Sequence, residues 1–185
     1  RFENVSVLFA DISGFTPLAQ QLEPVVLVAV LDEIFSAFDV IAERFGLEKI
    51  KTLGDAYMLV AGVPIPRADH AEAIAMAALA IQSEVTLKSD ILHRMNTKLQ
   101  MRVGVHTGEV VAGIIGTKKF AYDLWGDTVK IASRLESHGV AGEIHCSQEV
   151  YEMLQESCIF EKRGETELKG SITMTTYFLR GFKPL

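Results

Sequence analysis

The chain has 185 residues, 49% of them apolar, 23% charged and 8% aromatic, which is enough to bury a core without disulfides and excludes a disordered chain or a coiled-coil rod. A net charge of −6, with no basic excess, argues against a nucleic-acid or anionic-membrane surface, so any bound anion must be held locally. No nucleic-acid partner and no membrane contact are expected, since charged residues break every apolar stretch before the roughly 20 residues a bilayer span needs.

Val5 to Ala10 reads as a buried strand stopped by Asp11, Ser13 and Gly14. From Pro24 to Phe45 apolar residues recur at helical spacing, and Gly46 is placed to end the helix in the left-handed region. Glu48 to Thr52 and Ala56 to Gly62 predict two strands joined by a tight turn through Gly54, with Asp55 at its tip. A second long helix is expected from about Asp69, as its N-cap, to Met95. Leu99 to Val105 and Val110 to Ile115 read as separate strands interrupted by His106-Thr107-Gly108. A short helix over Asp127 to Ser137, a strand near Glu143 to Cys146, a helix over Gln148 to Gln155 and strands around Ile159 to Leu168 and Thr173 to Leu179 complete the order.

This is an α+β pattern: a ferredoxin-like βαββαβ core, an antiparallel sheet with helices packed on it, and a C-terminal α/β extension. It is read as one domain over residues 1–185, opening at Arg1 rather than Met and therefore excised from a longer, multidomain protein with regulatory parts. Cys146 and Cys158 form no CxxC pattern and read as reduced, inert thiols of an intracellular protein.

Neighbouring first and third strands would bring Asp11 and Asp55 to one sheet edge, where two carboxylates need a cation. Magnesium, which takes one or two carboxylates plus phosphate oxygens, suits them better than zinc, whose His or Cys ligands are lacking nearby. Between Asp11 and Thr16 the backbone of Gly14, Phe15 and Thr16 opens a helical segment able to wrap a phosphate chain. Neither GxxxxGK[ST] nor GxGxxG occurs, which excludes P-loop and Rossmann readings.

Three blocks carry a resemblance: Phe9-Ala10-Asp11-Ile12-Ser13-Gly14-Phe15-Thr16, then Lys49-Ile50-Lys51-Thr52-Leu53-Gly54-Asp55-Ala56-Tyr57, then Tyr122-Asp123-Leu124-Trp125-Gly126-Asp127-Thr128-Val129 followed by Ala132-Ser133-Arg134. With Arg102-Val103-Gly104-Val105-His106-Thr107-Gly108 before the third, they resemble the class III nucleotidyl cyclase catalytic domain, of adenylate cyclase type, over nearly the whole chain. The resemblance implies that Asp11 and Asp55, helped by the Ile12 carbonyl, hold two divalent cations, Mg²⁺ or Mn²⁺. It implies that Arg134 stabilises charge on the transferring phosphoryl group and that Lys169 meets the terminal phosphates. Lys51 can only donate and an ionised Asp123 can only accept, which matches N1 and the amino group of adenine, so Lys51 and Asp123, with Leu124 beside them, are expected to select ATP. Members that use GTP resemble this sequence with Glu at Lys51 and a small residue or Cys at Asp123.

The resemblance further implies a homodimer, with Asp11 and Asp55 of one chain facing Lys51, Asp123, Lys130, Arg134 and Lys169 of the other. One position departs from the family: Lys130 stands where catalytic members have Asn, one helical turn before Arg134 and on the same helix face. An adenylate cyclase making cyclic AMP from ATP is the leading expectation. The alternatives are a weak or silent nucleotide-binding and dimerisation module, motivated by Lys130, and a guanylate cyclase.

Overall fold

The computed structural model describes residues 1–53, 55–88, 94, 99–117, 121–170 and 172–185. Strand β1 (Phe2–Ser13) lies between β3 (Ala56–Ala61) and β4 (Gln100–Ile115), antiparallel to both. Side chains alternate along a strand. Leu8, Ala10 and Ile12 therefore enter one core, while Val5, Val7 and Phe9 enter a second on the opposite face. Coverage on both faces is why this stretch reads as a nearly continuous apolar run, interrupted between Val5 and Ala10 only by Ser6.

The first core is closed by α2 (Pro24–Arg44) and α3 (His70–Lys88), which contribute Val30, Ile34, Phe38 and Ile41 from one helix and Ile74, Ala78 and Ile81 from the other. A short helix, α1 (Phe15–Gln21), links β1 to α2. Gly46 ends α2 at φ 67°, as the spacing predicts. Of the expected extension of the second long helix beyond Lys88 to Met95, only Arg94, which is helical, is among the described residues; the rest lies outside them, as does Gly54 of the hairpin turn. Asp69 occupies the N-cap position, its carbonyl accepting from Ala73 N at 3.0 Å. Its carboxylate, however, pairs with Arg67 at 2.7 and 2.9 Å.

The hairpin of β2 (Glu48–Leu53) and β3 forms as expected, and β2-β3-β1-β4 is the strand order of a ferredoxin-like core. The break expected at His106-Thr107-Gly108 does not occur. These residues pair with Val7, Ser6 and Val5, and the Thr107 hydroxyl donates to the Val5 carbonyl at 3.0 Å, so β4 runs on to Ile115. That length lets β4 also pair with a strand the sequence reading did not anticipate, β5 (Ala121–Trp125).

The second core is closed by β5 and α4 (Asp127–Ser137), through Leu124 and Ala132. Gly104 makes this possible: a Cβ there would lie 2.2 Å from Glu136 N and 2.6 Å from Ala132 O, so only glycine lets α4 settle onto β4. The extension adds β6 (Ile144–Ser147), α5 (Gln148–Leu154), β7 (Cys158–Leu168) and β8 (Ile172–Phe182). It continues the sheet as β4-β6-β8-β7, with β4 and β6 parallel in an otherwise antiparallel arrangement. Cys146 and Cys158 are both free and buried, and burial pushes both thiols up. Among the described residues no helix is long and apolar enough to cross a membrane.

Candidate active site

Strand register places the chemistry. Asp11 shares the second-core face of β1 with Val7 and Phe9, and it pairs directly with Ala56 of β3 and Arg102 of β4. Asp55 precedes Ala56 in the turn, so the two carboxylates meet at one edge as expected. A pocket of about 330 Å³ is lined by Asp11, Ile12, Ser13, Gly14, Phe15, Thr16, Asp55 and Arg102, among others. Gly14 adopts the left-handed conformation at φ 78° and ψ 18°, turning the chain from β1 into α1. The Ile12 side chain is buried in the first core and Phe15 packs partly against it, leaving chiefly their backbones to face the pocket.

Electrostatics mark this pocket as short of positive charge. Asp11 Oδ2 accepts from Arg102 Nη2 at 2.9 Å, whereas Asp11 Oδ1 is buried with no hydrogen-bond partner. Burial, then the hydrogen bond and charge of Asp11, pushes the Asp55 carboxyl up to about 6. Glu136 on α4 is 7% exposed, and burial with the charge of Asp11 pushes it up to about 7 against the pull of Arg102. Among the described residues no group of three His, Cys, Asp or Glu gathers to hold a metal. A pair of hard carboxylates with an orphaned buried oxygen fits a Mg²⁺ or Mn²⁺ that draws its other ligands from water and phosphate, and does not fit a closed zinc site.

The basic residues gather elsewhere. Lys51, Lys130, Arg134 and Lys169 line a cleft of about 510 Å³ together with Phe9, Val129, Ser133 and Ser137. Lys130 and Arg134 project from α4, and Lys51 shares the face of its β3 partner Met58, beneath that helix. Lys51 Nζ donates to Asp123 Oδ2 at 2.9 Å, and Asp123 Oδ1 accepts from Leu124 N at 2.8 Å. Leu124 itself is buried in the second core, and its N–H fixes the Asp123 carboxylate. Within one chain the structure thus unites Lys51, Asp123, Lys130, Arg134 and Lys169. Asp11, Asp55, Gly14, Phe15 and Thr16 line a separate pocket.

Three residues at these sites escaped the sequence reading. Arg102 lies one strand over from Asp11, and only the register reveals that they pair. Glu136, two residues beyond Arg134, turns from the cationic cleft towards Arg102, with Oε2 at 3.4 Å from Nη2. His138 accepts the Lys169 N–H on Nε2 at 2.8 Å, tying the loop to the end of α4. Gly170, at φ 93°, completes that junction, since a Cβ there would sit 3.4 Å from Arg134 Nη2. His106 pairs through Nδ1 with the Ser147 hydroxyl at 2.7 Å.

Residues 1–181 match the adenylate and guanylate cyclase catalytic domain family, and the chain belongs to it. The chain is 44% identical over 183 residues to an adenylate cyclase of Mycobacterium tuberculosis, covering 99% of this chain and 41% of that protein. It is 43% identical over 184 residues to the receptor-type guanylate cyclase gcy-28 of Caenorhabditis elegans, covering 98% of this chain and 14% of that protein. The chain therefore spans well under half of either relative. Its structure resembles the guanylate cyclase domain of RhGC from Catenaria anguillulae in complex with GTP, with a TM-score of 0.92 at 34% identity and 98% of each chain covered. The relatives include cyclases of both base specificities, so the choice of base has to be argued from residues.

Proposed function

We propose that this domain is an adenylate cyclase, converting ATP to 3′,5′-cyclic AMP and pyrophosphate at sites shared between two copies of the chain. The observation that carries the base assignment is the Lys51–Asp123 pair at 2.9 Å, with the carboxylate pinned by Leu124 N. Against adenine, Lys51 donates to N1 while Asp123 accepts from the amino group. Guanine would set its N1–H against the ammonium and its O6 against the carboxylate, a mismatch at both positions.

The remaining residues divide the work. Divalent cations held by Asp11 and Asp55 would supply Lewis-acid charge to the ribose 3′-hydroxyl and the triphosphate. Gly14, Phe15 and Thr16 present backbone N–H groups to the phosphates. Arg134 neutralises charge growing on the α-phosphoryl oxygens, and Lys169 holds the pyrophosphate end. Because the carboxylates and cations line different pockets of one chain, a second copy is needed to face them, which makes a two-fold homodimer the natural assembly. Longer parent proteins with regulatory domains accord with the partial coverage of the relatives.

A second reading rests on Lys130, exposed on α4 where catalytic relatives are expected to carry Asn. It is a nucleotide-binding module of low turnover. Product analysis of the domain with ATP and GTP, each with Mg²⁺ and Mn²⁺, tests both. Cyclic AMP as the dominant product supports the adenylate reading, and cyclic GMP in excess overturns it. ATP binding without product, with turnover gained on Lys130→Asn, supports the second reading.

A further inference from the structure

The metal carboxylates carry their own cation. Arg102 is set opposite Asp11 by the β1–β4 register, and its Nη2 bonds Asp11 Oδ2 at 2.9 Å. The same nitrogen lies 3.4 Å from Glu136 Oε2, across the seam where Gly104 lets α4 touch the sheet. One guanidinium thus faces two carboxylates and bonds only one. The surplus shows in three buried atoms without hydrogen-bond partners: Asp11 Oδ1, Arg102 Nε and Glu136 Oε2. The Glu136 side chain is 9% exposed, so water does not solvate it, and nothing about the adenine or phosphate cleft requires an acid there.

An unspent acceptor beside a bonded cation has a use when that cation must give way. A divalent ion at Asp11 competes with Arg102 for the same oxygen and repels its charge, which costs little only if another anion stands within reach. Glu136, charged above about pH 7, is that anion.

We propose that Arg102 is the resident counter-cation of the metal carboxylates, held on Asp11 until a divalent cation arrives and then retained by Glu136, which is a positioning residue for the metal site. The inference rests on the reading of Asp11 and Asp55 as metal-holding residues. It also gives α4 a mechanical tie to the carboxylate pocket, because Glu136 and Arg134 belong to the same helix.

The test is titration of the whole domain with Mn²⁺ alone, followed by the electron paramagnetic resonance signal of the free ion, a readout independent of turnover. Glu136→Gln keeps the shape and removes the charge. It should weaken Mn²⁺ binding about ten-fold, whereas Glu136→Asp should recover most of that loss. Because Glu136 acts through Arg102, the loss should vanish in an Arg102→Gln background, which should itself bind Mn²⁺ at least as tightly as the parent. Binding within two-fold of the parent in Glu136→Gln overturns the proposal, and so does an equal loss in both backgrounds. Asp11→Asn separates the layers: unchanged Mn²⁺ binding there overturns the metal site and this proposal with it. Lost binding there, with none lost in Glu136→Gln, overturns this proposal alone.

Discussion

The Lys169 backbone N–H donates to His138 Nε2 at 2.8 Å, joining the turn that carries one cation of the cleft to the end of the helix that carries two others. His138 is itself steadied, because Arg163 Nη1 donates to its carbonyl at 2.7 Å and its own N–H donates to Arg134 O at 2.9 Å. A side chain outside the lining of the cleft thereby sets the spacing between Arg134 and Lys169.

Replacing that side chain should disturb binding more than chemistry. His138→Ala is expected to raise KM for ATP about five-fold with kcat little changed, since one hydrogen bond of about 1 kcal/mol is lost. Steady-state kinetics check this, and an equal fall in kcat with unchanged KM would contradict it.

The Lys51–Asp123 pair makes base choice separable from fold. Lys51→Glu with Asp123→Cys should move the GTP-to-ATP ratio of kcat/KM by at least about a hundred-fold, because each replacement reverses or removes one hydrogen-bonding polarity. Competition between the two nucleotides in one assay reads the ratio directly. A ratio that stays within a few-fold of the parent's would mean that other groups select the base.

Separate pockets for the carboxylates and the cations predict complementation. Mixed chains bearing Asp55→Ala and Arg134→Ala, each inactive alone, should regain about a quarter of parental activity: half the dimers are mixed and each has one intact site. No recovery after re-pairing sinks the shared-site arrangement.

Packing at the seam between α4 and β4 leaves no room for a methyl group. Gly104→Ala would force a Cβ to 2.2 Å from Glu136 N, so α4 must lift. A loss of about 1–3 kcal/mol in denaturant unfolding is expected from the overpacking, together with a fall in kcat/KM larger than that of His138→Ala.

His145 predicts a pH dependence of stability. It is fully buried, its Nδ1–H donates to Leu135 O and its Nε2 accepts from Thr176, both at 2.8 Å, so the ring is held neutral. Burial, reinforced by Arg163 and His138 nearby, pushes it down to about 4 from 6.5. The folded state binds its proton later than the unfolded chain, so this contribution is complete above about pH 6.5 and is lost as pH falls towards 4, roughly 3 kcal/mol in all. Asp55 and Glu136, raised to about 6 and about 7, run the opposite way. The His145 part is therefore the difference in unfolding free energy between the parent and His145→Gln across that window; a difference that does not vary with pH refutes it.

The strand and helix order apart from β5, the hairpin and the approach of Asp55 to Asp11 were legible in the sequence because each depends on local periodicity or on neighbouring strands. The Lys51–Asp123 contact was legible only through motif resemblance, as 72 positions separate the two. Arg102, Glu136 and His138 were not legible, since their partners are fixed by strand register and by how closely α4 lies on β4. The continuity of β4 was missed for a related reason: Gly108 and its neighbours look like a turn until the ladder to Val5, Ser6 and Val7 is seen.

Strand β1 is hydrogen-bonded along both edges and covered on both faces, so Asp11 stands on a strand fixed from four sides. The helix bearing Lys130 and Arg134 is seated on the sheet across a glycine, at a contact too close for a methyl group. Acidic and basic halves of the surface are thus keyed to one sheet, so a single methyl group added at that glycine would throw both out of alignment together.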